Sequence, residues 1–164
     1  MPLSIWILRH GEAVAHDSRS SDAERELTPR GERQSADAGA ALAKLGIELA
    51  ACYTSPRVRA RDTARLACQS LNVEPEVVQA LSAGFDTEDL DEMLLAQEPG
   101  AHILIVGHEP DLSQLVHDLT GARVKLPKGG VAAIELEGRE GRLVVLVRPR
   151  ELEAISAREA ARLL

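Results

Sequence analysis

Three short stretches place reactive side chains where a buried strand should end. Arg9-His10-Gly11-Glu12 follows the apolar run at residues 3–8. Ser55-Pro56 precedes a run holding Arg57, Arg59, Arg61 and Arg65. Gly107-His108-Glu109 closes the strand-like run at 101–107. Guanidinium groups carry a fixed charge and a fork of donors that matches phosphate. A neutral imidazole is a nucleophile, and a covalent step divides one hard displacement into two easier ones. Attack on phosphorus needs a free nitrogen lone pair, in-line placement and cations around the equatorial oxygens. Two histidines among arginines can meet all three needs.

The elements that must bring these stretches together are legible as alternation. Residues 3–8, 50–54, 77–78 and 101–107 read as strands, being short and apolar or bounded by turn signals. Residues 29–45, 57–71, 88–97 and 110–119 read as helices. Thr28-Pro29 announces the first as N-cap and first helical residue, and Ser55-Pro56 repeats the signal for the second. Gly46 and Thr120-Gly121 end helices. Residues 131–136 and 142–147 predict an antiparallel hairpin, and 150–164 an amphipathic helix with Leu152, Ile155, Ala160 and Leu163 as contacts. Residues 13–26, with His16, Asp17, Asp22 and Glu24, read as a long functional loop. The pattern predicts one three-layer α/β/α domain over residues 1–164, with a mainly parallel central sheet and no inserted cap. A parallel sheet puts the carboxyl ends of its strands on one rim, where ligands bind. Two helix N-termini at that rim add further attraction for an anion.

Composition narrows the functions. A chain of 164 residues at a formal charge of −7 does not suit nonspecific nucleic-acid binding, which needs a basic surface. The N-terminal apolar run is too short for a leader or a membrane span, so a cytoplasmic protein that engages no membrane is expected. Cys52 and Cys68 fit neither a disulfide framework nor a metal spacing and read as small buried residues. No metal motif and no P-loop motif appear, so no metal or cofactor is expected. His102 and His117 read as structural and His16 as solvent-exposed. Gly129-Gly130 reads as a tight turn that can approach the pocket.

The order of the three motifs resembles the histidine phosphatase superfamily, the phosphoglycerate-mutase-like group. Its segments here are Arg9-His10-Gly11-Glu12, Ser55-Pro56-Arg57-Val58-Arg59-Ala60-Arg61-Asp62-Thr63-Ala64 and Val106-Gly107-His108-Glu109. Leu27-Thr28-Pro29-Arg30-Gly31 and the short length resemble its SixA branch, the protein phosphohistidine phosphatases. The resemblance implies that His10 is the nucleophile, that Arg9 and Arg59 bind phosphate, and that His108 holds the phosphoryl group, with Gly11 beside it. Spacing alone does not choose among the arginines; the motif selects Arg59. Asp22 is the chosen proton donor, with Glu24 and Glu109 as alternatives, and Glu12 is a pocket neighbour. The implied substrate is a partner protein bearing phosphohistidine, with inorganic phosphate as product. A small-molecule phosphomonoesterase and a noncatalytic phosphate-binding protein are the alternatives.

Overall fold

The structure, a computed structural model, describes residues 1–16 and 20–157. Six strands form one sheet: β1 (Leu3–Arg9), β2 (Leu49–Thr54), β3 (Pro75–Val77), β4 (His102–Gly107), β5 (Val131–Glu137) and β6 (Glu140–Val147). Their order is β3-β2-β4-β1-β5-β6. The first four run parallel, β5 lies antiparallel to β1, and β6 antiparallel to β5. Five helices accompany them: α1 (Pro29–Lys44), α2 (Val58–Cys68), α3 (Thr87–Leu94), α4 (Asp111–Thr120) and α5 (Pro149–Ser156). The α/β class and the mainly parallel sheet agree with the sequence reading, and no separate cap domain is present among the described residues.

The period-two alternation of strand side chains divides the core in two. In β1, Trp6 and Leu8 point into a cluster with Ala38 and Leu42 of α1, Ala60 and Ala64 of α2 and Leu152 of α5. Ile5 and Ile7 point the other way, into a cluster with Leu90 of α3 and Leu112 and Leu115 of α4. The sheet is thereby sandwiched, and β1 and β4 are buried on both faces.

Several local expectations change. Ser55 caps no helix: α2 starts at Val58 with Arg57 as N-cap, and Ser55 turns toward the sheet rim. The Thr28 cap holds, its hydroxyl accepting the Gly31 N–H at 3.0 Å. Residues 79–82 form a short 3-10 turn, and so does Asp22–Glu24 inside the long loop. Asp17 and the C-terminal part of the last expected helix, with Ala160 and Leu163, lie outside the described residues. His102 accepts the Trp6 indole N–H at 3.0 Å, a structural role as expected. His16 is exposed, and Cys52 and Cys68 are buried free thiols. Among the described residues no helix is long and apolar enough to cross a membrane.

Candidate active site

The three motifs meet because β1, β2 and β4 are parallel neighbours. Arg9 is level with Gly107 across β1 and β4, and Thr54 with Val106 across β2 and β4. His10, Ser55 and His108 therefore leave the sheet side by side. The chain just past each strand is tied down by backbone bonds: the His10 N–H donates to the Gly107 carbonyl at 3.2 Å and the Ser55 N–H to Val106 at 3.1 Å. The turn at Gly129 clasps the same corner. Its N–H donates to the carbonyls of Arg9 and His10 at 3.1 and 3.0 Å. The approach of the glycine pair to the pocket, expected from sequence, is found.

His10 is 5% exposed. Its Nδ1 is 2.7 Å from the Gly11 carbonyl, which can only accept. The proton therefore sits on Nδ1, and the Nε2 lone pair is left free. Burial lowers the His10 pKa to about 4, with the charges of Arg59, Arg9 and Lys128 acting the same way against the opposing Gly11 bond. At neutral pH the ring is an uncharged base, the form needed for attack.

His108, 8% exposed, faces His10 with ring centroids 5.2 Å apart. Its Nε2 lies 2.7 Å from Ser55 Oγ, which already accepts the Arg57 N–H at 3.2 Å. When the Ser55 hydroxyl donates to Nε2, the His108 proton sits on Nδ1. That Nδ1 is buried and has no partner. Burial lowers the His108 pKa to about 3, with His10 and Arg59 adding to the effect.

The two motif arginines show the same incompleteness. Arg9 Nη1 donates to the Leu126 carbonyl at 3.1 Å, but its buried Nε is unpaired. Arg59, 6% exposed, donates through Nη1 to the Asp22 carbonyl at 2.9 Å and through Nη2 to Asp22 Oδ2 at 3.1 Å, and its Nε is also unpaired. Among the described residues, the buried side-chain polar atoms without a partner are these two Nε atoms and His108 Nδ1. The two Nε atoms are donors, His108 Nδ1 is one in the tautomer in which Ser55 donates to Nε2, and all three belong to one site. Such atoms are costly unless a ligand meets them. Buried unpaired donors in a site with a free imidazole lone pair are suited to hold a tetrahedral oxyanion.

Asp22 is brought to this site, which sequence alone left open. Its carboxylate ion-pairs with Arg25, Arg57 and Arg59 although its side chain is 41% exposed. The hydrogen bond from Arg25, with further help from Arg59, overcomes desolvation and holds its pKa down at about 2. Arg57, weighed as a solvated charge, is instead one of its partners. Glu24 is exposed. Glu109 is engaged by the Ser113 N–H at 2.8 Å and by the Ser113 hydroxyl. Glu12 stays at the margin, accepting the Thr28 hydroxyl at 2.7 Å.

Gly11 has a packing reason. A Cβ there would lie 2.5 Å from the Gly31 carbonyl oxygen, so only glycine admits α1 this close. Its N–H is already taken by Thr63 Oγ1 at 3.0 Å. Thr63 is a hub the sequence reading quoted but gave no role. It also donates to the Arg59 carbonyl at 2.7 Å and lies 3.2 Å from Ser35 Oγ, which donates to Gly31 at 2.7 Å. Its signal was its place four residues after Arg59, on the same helix face.

Fold and site together define an α/β protein with two buried histidines and two buried arginine donors at the carboxyl rim of a mainly parallel sheet. The sequence profile of the histidine phosphatase superfamily (branch 1) matches residues 5–83. An uncharacterized protein of Picosynechococcus sp. (strain PCC 7002) is 32% identical over 141 residues, covering 80% of this chain and 84% of the relative. The structure of the protein histidine phosphatase SixA complexed with tungstate is similar with a TM-score of 0.81 and 25% identity, covering 91% of this chain and 99% of that one. A phosphoserine phosphatase of Entamoeba histolytica, a His-to-Ala mutant in complex with phosphoserine, shares the fold with a TM-score of 0.71 at 14% identity, covering 92% and 99%. The chain belongs to the histidine phosphatase superfamily, and the likeness to SixA agrees with the SixA-type branch to which the motifs pointed.

Proposed function

We propose that this chain is a phosphohistidine phosphatase acting on a partner protein through a covalent intermediate on His10. The observation that supports this most is the set of three unpartnered buried polar atoms, Arg9 Nε, Arg59 Nε and His108 Nδ1, in the site that holds the free lone pair of His10. A phosphoryl group gives all three an acceptor at once. The SixA relative was crystallised with tungstate, itself a tetrahedral oxyanion.

His10 Nε2 attacks phosphorus as the bond to the substrate nitrogen breaks. The departing imidazole takes a proton on that nitrogen, and the phosphoryl group now rides on His10. Water then attacks phosphorus, the His10–phosphorus bond breaks, and inorganic phosphate leaves. Arg9, Arg59 and His108 hold the equatorial oxygens, where charge is concentrated in the transition state. Asp22 serves as the proton donor only once the site is filled. A phosphoryl dianion on Arg59 removes part of what keeps Asp22 ionised and adds negative charge beside it. Both changes raise its pKa toward the range of a useful acid.

The test is turnover of a chemically phosphorylated histidine protein by the wild type and by His10→Ala, with acid quenching to trap a phosphoenzyme. Turnover with a phosphorylated wild-type chain, both lost in the variant, is expected. Turnover without any phosphoenzyme would refute the covalent route. A small phosphate ester is the alternative substrate, and the presence of Asp22 in the site favours keeping it in the comparison.

A further inference from the structure

A groove of about 500 Å³ opens beside the phosphoryl pocket, with Arg9 forming a wall of both. Arg30, Gln34, Lys128, Arg148 and Arg150 also line it, with Glu12 as the lining carboxylate. Five cations thus line one groove of a chain whose formal charge is −7. Glu151 answers Arg148 at 2.9 Å and Arg150 at 3.5 Å, and Glu12 lies 3.9 Å from Arg30. Lys128 has no carboxylate within ion-pair distance among the described residues. Its charge reaches His10, so groove and pocket share one field.

Helix stability does not explain Arg30 and Arg150, whereas Arg148 joins Glu151 in the capping box of α5. Arg30 is the second residue of α1, Arg150 the second of α5, and Arg148 the N-cap of α5. A cation there opposes the helix macrodipole. Two positive helix ends and five cations converge on the groove, and what that arrangement favours is negative charge from outside.

We propose that this groove docks an acidic segment of the protein substrate, the carboxylates near its phosphohistidine, and so selects the partner by charge. The proposal rests on the phosphohistidine-protein reading above. A polypeptide fits better than a small anion because the cations are exposed, Arg30 at 69% and Arg150 at 76% of their side chains. Exposed pairs are individually weak. They hold a small ligand poorly, but across an extended segment they steer encounter and fix orientation.

The test uses two peptides of equal length with a central histidine, one flanked by glutamates and one by lysines. Their unphosphorylated forms are titrated by fluorescence anisotropy against the wild type and Arg30→Glu/Arg150→Glu. Their phosphohistidine forms are then compared by kcat/KM, with free phosphohistidine as the reference that reaches only the pocket. Wild type should bind the glutamate peptide roughly tenfold tighter than the lysine peptide, the sum of two weak exposed pairs. The preference should fall roughly tenfold in the variant and shrink with salt, and in turnover it should appear in KM. Both substitutions put a carboxylate in the first turn of a helix, which favours folding. Arg30→Gln/Arg150→Gln, which removes the same two pairs without reversing the charge and should lose the same roughly tenfold preference, is the second variant. Equal binding of the peptides, or a preference that survives both variants, overturns the proposal. Groove-dependent binding of a sugar bisphosphate in place of the acidic peptide overturns it as well. Charge-selective docking without any turnover supports the groove and overturns the phosphatase reading instead.

Discussion

At the scale of residues, Arg9, Arg59 and His108 are each left one hydrogen bond short. His10 is kept neutral with its proton on the wrong side for anything except attack. His10→Ala should therefore lower turnover by several orders of magnitude while the fold survives, because the side chain lies beyond the strand and leaves no core gap. Near wild-type turnover in the folded variant would show that His10 is not the nucleophile. Arg59 and Arg57 both touch Asp22, yet only Arg59 offers a buried unpaired donor. Arg59→Ala and His108→Ala should each lower kcat/KM by roughly a hundredfold or more, the scale of losing one preorganised donor. Arg57→Ala should cost less than about tenfold, since its loss chiefly loosens Asp22. Equal losses at Arg57 and Arg59, measured on one phosphohistidine substrate, would contradict this division.

At the scale of elements, the arginine helix is placed by contact rather than by its own sequence. α1 crosses α2 at Gly39, where an added Cβ would lie 2.0 Å from the Ala67 carbonyl oxygen. Alanine is the better helix former by ~1 kcal/mol, but overpacking costs ~1–3 kcal/mol and the obstacle is backbone. Gly39→Ala should thus destabilise the protein by up to about 2 kcal/mol and displace Arg59, lowering turnover as well. An unchanged denaturant midpoint would show that the helices separate freely. The elements themselves were legible because apolar runs alternate with capped helices, and a parallel sheet then fixes which strand ends meet. His10, His108 and Arg9 could be placed together on that ground alone. Ser55 could not, because Ser-Pro reads locally as a helix start, whereas its hydroxyl answers a histidine 53 residues away. The pairing of Asp22 with Arg57 and Arg59 was hidden for the same reason. Nothing within the 13–26 stretch says which way its short 3-10 turn faces, and the arginines that draw it in lie on another element.

At the scale of the molecule, the site opposes the stability of the chain in acid. Two histidines are buried uncharged, with pKa values of about 4 and about 3 in place of 6.5. Unfolded, each takes up a proton near pH 6.5; folded, each resists until far lower. Between those values the unfolded state binds more protons, so the stability fully present above pH 6.5 drains away as pH falls toward 4. The loss should be on the order of 2 kcal/mol per histidine by about pH 5. Asp22 acts in the same direction, but only below its ordinary value of 3.8, and leaves this window clear. A bound oxyanion changes the balance, because its charge favours protonated imidazoles and gives the orphaned donors an acceptor. Urea midpoints from pH 7 to pH 5 should therefore fall steeply for the wild type, less steeply with saturating phosphate, and least for His10→Gln/His108→Gln. That variant should be the more stable chain in acid and the inactive one, since the buried neutral rings that catalysis requires are also what acid attacks. A midpoint that holds constant over this range, or falls as steeply in the double variant, would place the acid sensitivity outside the site.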